Sequence, residues 1–232
     1  MDELSITCHG NEQNAKNFIS LLEKKRFRFS LIISYTETSE IPGITIAGAN
    51  KEFLKFTSPA DAEYLSLGKC RCIDTIPMSP DGKPTPALLT KVSLNTAKIP
   101  HFVVNAGSMV LPDVSSFDAL LQPGKNIAEA PAMTKEDVHN AVDFGRVIGK
   151  SLSKSIDCLV IGESIPGGTT TALSVLKGFG IDASVSSSMP KNPIEIKQKT
   201  VSSALKRIKS DDPFEIVANL GDPMIPVCTG ML

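Results

Sequence analysis

Asp157-Cys-Leu-Val-Ile-Gly-Glu-Ser-Ile-Pro-Gly-Gly-Thr-Thr-Thr-Ala-Leu173 joins a short apolar run to a glycine-rich turn and then to a helical pattern. Cys158 to Ile161 has the composition of a buried strand bounded by Gly162. Gly167 and Gly168 allow backbone conformations closed to other residues, so the main chain can press against a ligand. Thr169, Thr170 and Thr171 can cap the helix that follows, whose apolar face is Ala172, Leu173, Leu176 and Phe179. Unpaired amides at such a helix start attract anions, phosphate above all. A phosphate site with one carboxylate, Glu163, beside it is the expectation.

Three familiar loops are excluded by single positions. Gly162 and Gly167 have the outer spacing of a Walker A loop, but Gly168 stands where the lysine is needed. The dinucleotide fingerprint breaks at Ser164, which occupies the place of its second glycine. Ser164 is not a nucleophile elbow either, because Pro166 replaces the glycine two positions on.

Working outward, Asn14 to Lys25 is amphipathic with Phe18, Leu21 and Leu22 expected inward. Phe29 to Tyr35 and Phe102 to Gly107 read as strands. Thr134-Lys-Glu-Asp137 predicts a capping box opening a long helix to about Leu152. A short strand is expected near Ala183 to Ser186, then a helix from Asn192-Pro193 with Ile194, Val201, Ala204, Leu205 and Ile208 on one face. Phe214 to Leu220 suggests a helix turning into loop. Alternating strands and helices at this spacing predict a doubly wound, mostly parallel α/β sheet with flanking helices and a small subdomain. Ligands in such sheets sit beyond the carboxyl ends of the strands. The Gly loop and the Asn105-Ala-Gly107 turn both fall there, which makes Asn105 a candidate for the base pocket.

Thr36 to Tyr64 and Cys72 to Lys91 look poor in regular structure. The second holds Pro77, Pro80, Pro84 and Pro86 and suits a base-binding or lid segment as well as an ordered surface wrap. The last stretch, Gly221 to Leu232, is apolar and turn-forming without a charged tail, which gives the expectation of one α/β nucleotide-binding domain over 1–232 that is incomplete at its C-terminal side.

Composition narrows the classes. With 232 residues, 41% of them hydrophobic, the chain can bury a substantial core. Net charge is −1 from 24 basic and 25 acidic residues, well mixed. No basic stripe with interleaved aromatics marks a nucleic-acid partner. The start Met1-Asp-Glu-Leu-Ser lacks a secretory pattern and no apolar run nears a membrane span, so a cytoplasmic protein without a membrane partner is expected. Cys8, Cys70, Cys72, Cys158 and Cys228 do not pair into a disulfide framework, and Cys70 and Cys72 are too close for a zinc knuckle. No metal site is expected, and no cofactor.

Gly162-Glu-Ser-Ile-Pro-Gly-Gly-Thr-Thr170 resembles the Gly-Glu-x-x-x-Gly-Asn/Gly-Thr-Thr motif of the nicotinate-nucleotide–dimethylbenzimidazole phosphoribosyltransferases, closest to their archaeal and cyanobacterial branch. Thr36-Glu-Thr-Ser-Glu-Ile-Pro-Gly43, Ala47-Gly-Ala-Asn50, Ile76-Pro-Met-Ser-Pro-Asp-Gly-Lys-Pro-Thr-Pro86, Val103-Val-Asn-Ala-Gly107, Val185-Ser-Ser-Ser-Met-Pro190 and Gly221-Asp-Pro-Met-Ile-Pro226 are similar to that branch as well. The resemblance runs from about residue 30 to the end of the sequence.

It implies transfer of phosphoribose from nicotinate mononucleotide to a benzimidazole-like base, giving an α-ribazole phosphate and nicotinate for the lower ligand of cobamides. It also implies a homodimer. By family position, Gly167, Gly168 and Thr169 supply amides to phosphate with Thr170 nearby, Glu163 stands beside the ribose, and Lys197 reaches the phosphate, with Lys199 as fallback. No Mg²⁺ is implied, since no diphosphate leaves. The family's general-base glutamate and a glycine-rich closing loop belong to a C-terminal part outside these residues, and Pro166 removes one N–H. The alternative is a non-catalytic binder of a nucleotide or phosphorylated metabolite on the same fold.

Overall fold

The computed structural model describes residues 7–48, 50–187 and 189–232. The opening Met1-Asp-Glu-Leu-Ser, the Ala49 of the Gly48-Ala-Asn50 turn and Ser188 lie outside them.

Four parallel strands, β1 (Phe27–Ile33), β2 (His101–Asn105), β3 (Ser116–Asp118) and β4 (Cys158–Ser164), form one sheet in the order β3-β2-β1-β4. The chain steps from β1 to β2 to β3 in one direction and then returns to place β4 on the other side of β1. That reversal opens a crevice beyond the carboxyl ends of β1 and β4. Register brings the ends level, since Ile33 pairs with both Asn105 and Ser164.

β1 is buried on both faces, which is why its middle is continuously apolar apart from Ser30. Phe29, Leu31 and Ile33 pack with Ala62, Leu65 and Leu94, beneath helices α2 (Leu54–Leu67) and α3 (Ala87–Ala97). Ile32 and Val104 face the other way, onto Ala141, Ile148, Val227 and Met231 of α4 (Lys135–Leu152) and α8 (Met224–Met231). Replacing the fully buried Ile32 by alanine costs about 2–5 kcal/mol. A third cluster, with Val175, Ala204, Ile216 and Leu220, joins α5 (Gly168–Gly178), α6 (Ile194–Leu205) and α7 (Pro213–Leu220).

The capping box forms as the sequence predicts: Asp137 N–H donates to Thr134 Oγ1, and Thr134 N–H donates to Asp137 Oδ2, each at 3.0 Å. Five expectations about the fold need correction. The residues from Leu54 to Tyr64, expected to lack regular structure, belong to α2. Pro59 removes one helical N–H there, yet Ala60, Ala62 and Leu65 bury themselves completely or nearly so, and that packing outweighs the lost bond. The helix α1 (Glu12–Leu22) exists, but it buries no residue, and Phe18 and Leu21 are 61% and 67% exposed.

No strand forms near Ala183 to Ser186. The carbonyls of Val185 and Ser186 are taken by the side chains of Asn192 and Lys197 at 2.7 Å each, so the segment has side-chain rather than ladder partners. The residues after Gly221, expected as turns, form α8. Its Pro226 lies in the first turn, where a missing N–H costs nothing. α8 lies so close to α4 that a Cβ on Gly145 would overlap the Val227 carbonyl and one on Gly230 that of Val142. Ile194, expected on the inner face of α6, is 53% exposed, whereas Val201 and Ala204 are buried.

Candidate active site

At the end of β4 the chain turns through Ile165-Pro166-Gly167 into α5. Gly167 takes a left-handed conformation, φ 79°, as the cap, and none of the three threonines caps the helix with its side chain. A Cβ at Gly167 would stand 3.1 Å from Ser39 Cα, so glycine is required both by its torsion and by its seat on the turn Glu37–Glu40 that follows β1. Gly168 N–H donates to Ile165 O at 3.3 Å and Thr170 N–H to Gly167 O at 2.9 Å. Among the described residues the amides of Gly167 and Thr169 have no backbone partner. These two are the donors offered to an anion.

Lys197 reaches this loop from α6. It is 1% exposed, and its ammonium donates to Thr169 Oγ1 at 2.9 Å and to Ser186 O at 2.7 Å. Burial pulls its pKa down, and among the described residues no carboxylate partners it. Lys199, on the same helix, points instead into a surface groove with Glu37 and Glu40. Thr170 is fully buried with its hydroxyl unpartnered and does not line the site.

A cavity of about 690 Å³ opens beside the loop. Phe29, Leu31 and Leu65 give it apolar walls, and the segment from Pro77 to Pro86 forms another side. A second cavity of about 480 Å³ lies next to it, and Glu163, Gly168, Thr169 and Ser186 line both. Glu163 therefore stands at the junction. Its surroundings desolvate the carboxyl, and with help from the Asp222 charge they push it up to about 7. A group poised there can accept or release a proton at neutral pH.

Two acids were not picked out by sequence reasoning. Asp61 of α2 is 7% exposed and lines the larger cavity. Thr85 donates to its Oδ1 and Ser164 to its Oδ2, each at 2.7 Å, while burial pushes the carboxyl up to about 6. Asp222 lines the smaller cavity and is fully buried. No local motif marks either residue, and for Asp222 the only signal was its place in Gly221-Asp-Pro-Met-Ile-Pro226.

Asn105 does not line the cavity, which corrects its placement in the base pocket. It is 3% exposed, donates to Asp118 at 3.2 Å and accepts from Ser108 N–H at 2.9 Å, holding the turn after β2. Among the described residues no group of His, Cys, Asp or Glu side chains could hold a metal ion, and no helix is long and apolar enough to cross a membrane. Burial and the charges of Glu63 and Asp61 push the Cys70 thiol up to about 11. It is a protonated side chain donating to Ala60 O, not a nucleophile.

A UPF0284 protein of Archaeoglobus fulgidus is 50% identical over 210 residues, covering 90% of this chain and 62% of the relative. A UPF0284 protein of Saccharolobus solfataricus is 46% identical over 203 residues, covering 87% and 58%. The chain thus spans about three fifths of the length of the curated relatives it matches. A crystal structure of nicotinate-nucleotide-dimethylbenzimidazole phosphoribosyltransferase from Thermus thermophilus superposes with a TM-score of 0.64 at 19% identity, covering 89% of this chain and 57% of that one. A structure of CobT from the same organism gives 0.62 at 18%, covering 88% and 57%. Both show the parallel α/β fold. A phosphoribosyltransferase family model matches residues 92–232, more than half of the sequence, and the chain belongs to that phosphoribosyltransferase family.

Proposed function

We propose that this protein transfers phosphoribose from nicotinate mononucleotide to a benzimidazole-type base, releasing nicotinate and an α-ribazole phosphate. The observation that carries the proposal is the position of Glu163, at the junction of two cavities and beside the Gly167–Thr169 loop. Family membership and the names of the Thermus proteins support the same chemistry.

The phosphate would rest on the amides of Gly167 and Thr169, with Lys197 supplying the positive charge. The ribose would then lie along Glu163, and the base between the walls of Phe29, Leu31 and Leu65. The lone pair of a base nitrogen forms the new bond to ribose C1′ as the old glycosidic bond breaks, and those electrons neutralise the pyridinium ring of the leaving nicotinate. Departure needs no general acid. Charge grows on the ribose in the transition state, and the Glu163 carboxylate stabilises it there. The proton on the other nitrogen of the incoming base must leave, and Asp61, held by Thr85 and Ser164 at the cavity wall, accepts it.

This reading also proposes a homodimer, a cytoplasmic setting and a further C-terminal part whose glycine-rich loop closes over the nucleotide, with the family's own glutamate as the alternative acceptor of that proton. The test is incubation with nicotinate mononucleotide and a panel of benzimidazoles and purines, measuring nicotinate and the riboside phosphate together. Binding of the nucleotide without release in the presence of any base would favour the alternative, a non-catalytic nucleotide binder.

A further inference from the structure

Thr171 carries a hydroxyl with one proton and two neighbours that ordinarily only accept. Its Oγ1 is 2.8 Å from the Gly168 carbonyl and 2.5 Å from Asp222 Oδ2. A carbonyl never donates, so unless Thr171 divides its one proton between them, each contact is a full hydrogen bond only if Asp222 carries a proton on Oδ2. The surroundings favour that form. Asp222 has 0% exposure, and burial pushes its carboxyl up. The N–H groups of Met224 and Ile225, which donate to its Oδ1 at 3.0 and 3.3 Å, favour the charged form, but burial outweighs them. Asp222 and Glu163 line the same smaller cavity, so two ionised acids here would repel each other.

We propose that Asp222 is a positioning residue for the phosphate loop: as the neutral acid it donates to Thr171, which donates to the Gly168 carbonyl and fixes the Gly168–Thr169 peptide. This rests on the phosphate reading of the loop. A peptide is planar, so holding the Gly168 carbonyl also aims the Thr169 N–H, one of the two amides free to meet an anion. The relay ties that amide to the start of α8, itself packed on α4. The amide is therefore set before a ligand arrives, and no binding energy is spent on ordering it.

Two measurements on the 232-residue chain test this separately. The first needs no ligand. At about pH 5.5, where an ordinary aspartate is ionised, carbon NMR of the Asp222 carboxyl should report the acid form. Thr171→Val should then shift the Thr169 amide resonance, whereas Thr171→Ser leaves it in place. An ionised Asp222 at that pH, or an unmoved Thr169 amide in Thr171→Val, would overturn the relay. The second uses inorganic phosphate and nicotinate mononucleotide as probes in calorimetry. Thr171→Val and Asp222→Ala should each weaken both by about 3- to 10-fold, the worth of one hydrogen bond.

Asp222→Asn keeps an acceptor for α8 and a donor for Thr171, and it should recover most of the Asp222→Ala loss. An Asn variant as weak as the Ala variant, with melting points alike, would reduce Asp222 to a cap of α8 and contradict the proposal. If the wild-type chain binds neither probe, the phosphate reading of the loop fails and the proposal with it, whatever the resonances show.

Discussion

The Lys197 ammonium and the Thr169 hydroxyl lie 2.9 Å apart, joining the second residue of α5 to the first turn of α6. A lysine 1% exposed and without a carboxylate partner carries an uncompensated charge next to the free amide of Thr169. Desolvation of that charge costs the empty protein stability, and an anion would offset the cost.

Lys197→Met should therefore weaken nicotinate mononucleotide by roughly 10- to 100-fold, the value of a charge-assisted bond. Its melting point should stay near that of the wild type, because the relieved charge offsets the two lost hydrogen bonds. Calorimetry beside a thermal scan measures both, and undiminished affinity in a folded variant would place the phosphate elsewhere.

Gly168→Val should also reduce nucleotide affinity. Gly168 has no positive φ, contrary to the simplest sequence argument; the torsional demand sits on Gly167. The obstacle is steric: a Cβ at 168 would stand 2.6 Å from Ile165 Cγ2 and 3.4 Å from Glu163 Oε2. Either the Ile165 side chain or the loop must shift. Binding falls by an expected factor of about 10 or more, equivalent to the 1–3 kcal/mol of an overpacked site. A crystal structure of the variant with the Ile165 side chain and the loop both unmoved would contradict this.

Asp61→Asn separates stability from function. The Asp61 carboxyl is raised to about 6 in the folded protein against about 3.9 unfolded. The folded state thus holds more protons between those values, and the stability of the wild type falls as pH rises through that window. The asparagine variant has no such loss. It should be more stable than the wild type at neutral pH, by an amount on the order of 2 kcal/mol, with the gap closing below about pH 4. Turnover with a benzimidazole should fall at the same time. Denaturant melts across pH check the first part and nicotinate release the second; a variant less stable at neutral pH would mean that the folded protein favours the Asp61 carboxylate rather than disfavouring it.

The sequence announces what local pattern controls. The apolar run, Gly167 and the start of α5 were readable because a strand, a left-handed turn and a helix start each have a compositional mark within a few residues. Thr134 and Asp137 were readable for the same reason. Leu54 to Tyr64 was not readable as a helix because the burial of Ala60 and Ala62, which outweighs the cost of Pro59, is not a local signal. Asp61 and Asp222 were invisible as site residues because their partners lie 103 and 51 residues away, at Ser164 and Thr171. Phe18 and Leu21 show the converse: helical spacing gives an apolar face but not the surface it meets.

The measurement that bears most directly on the account is the pH profile of nicotinate release from nicotinate mononucleotide and a benzimidazole, for the wild type and Glu163→Gln. It is run on this chain and on one extended to the length of its relatives. The ionised form of Glu163 is the one that stabilises the ribose cation, and its pKa is pushed up to about 7. Wild-type kcat should therefore climb as pH rises through about 7. Glu163→Gln should lower kcat by about 10²–10⁴-fold, with less change in KM, and abolish that climb. The 232-residue chain should release far less nicotinate than the longer one. Unaltered kcat and an unaltered pH profile in Glu163→Gln would contradict the assignment of this cleft as the transfer site.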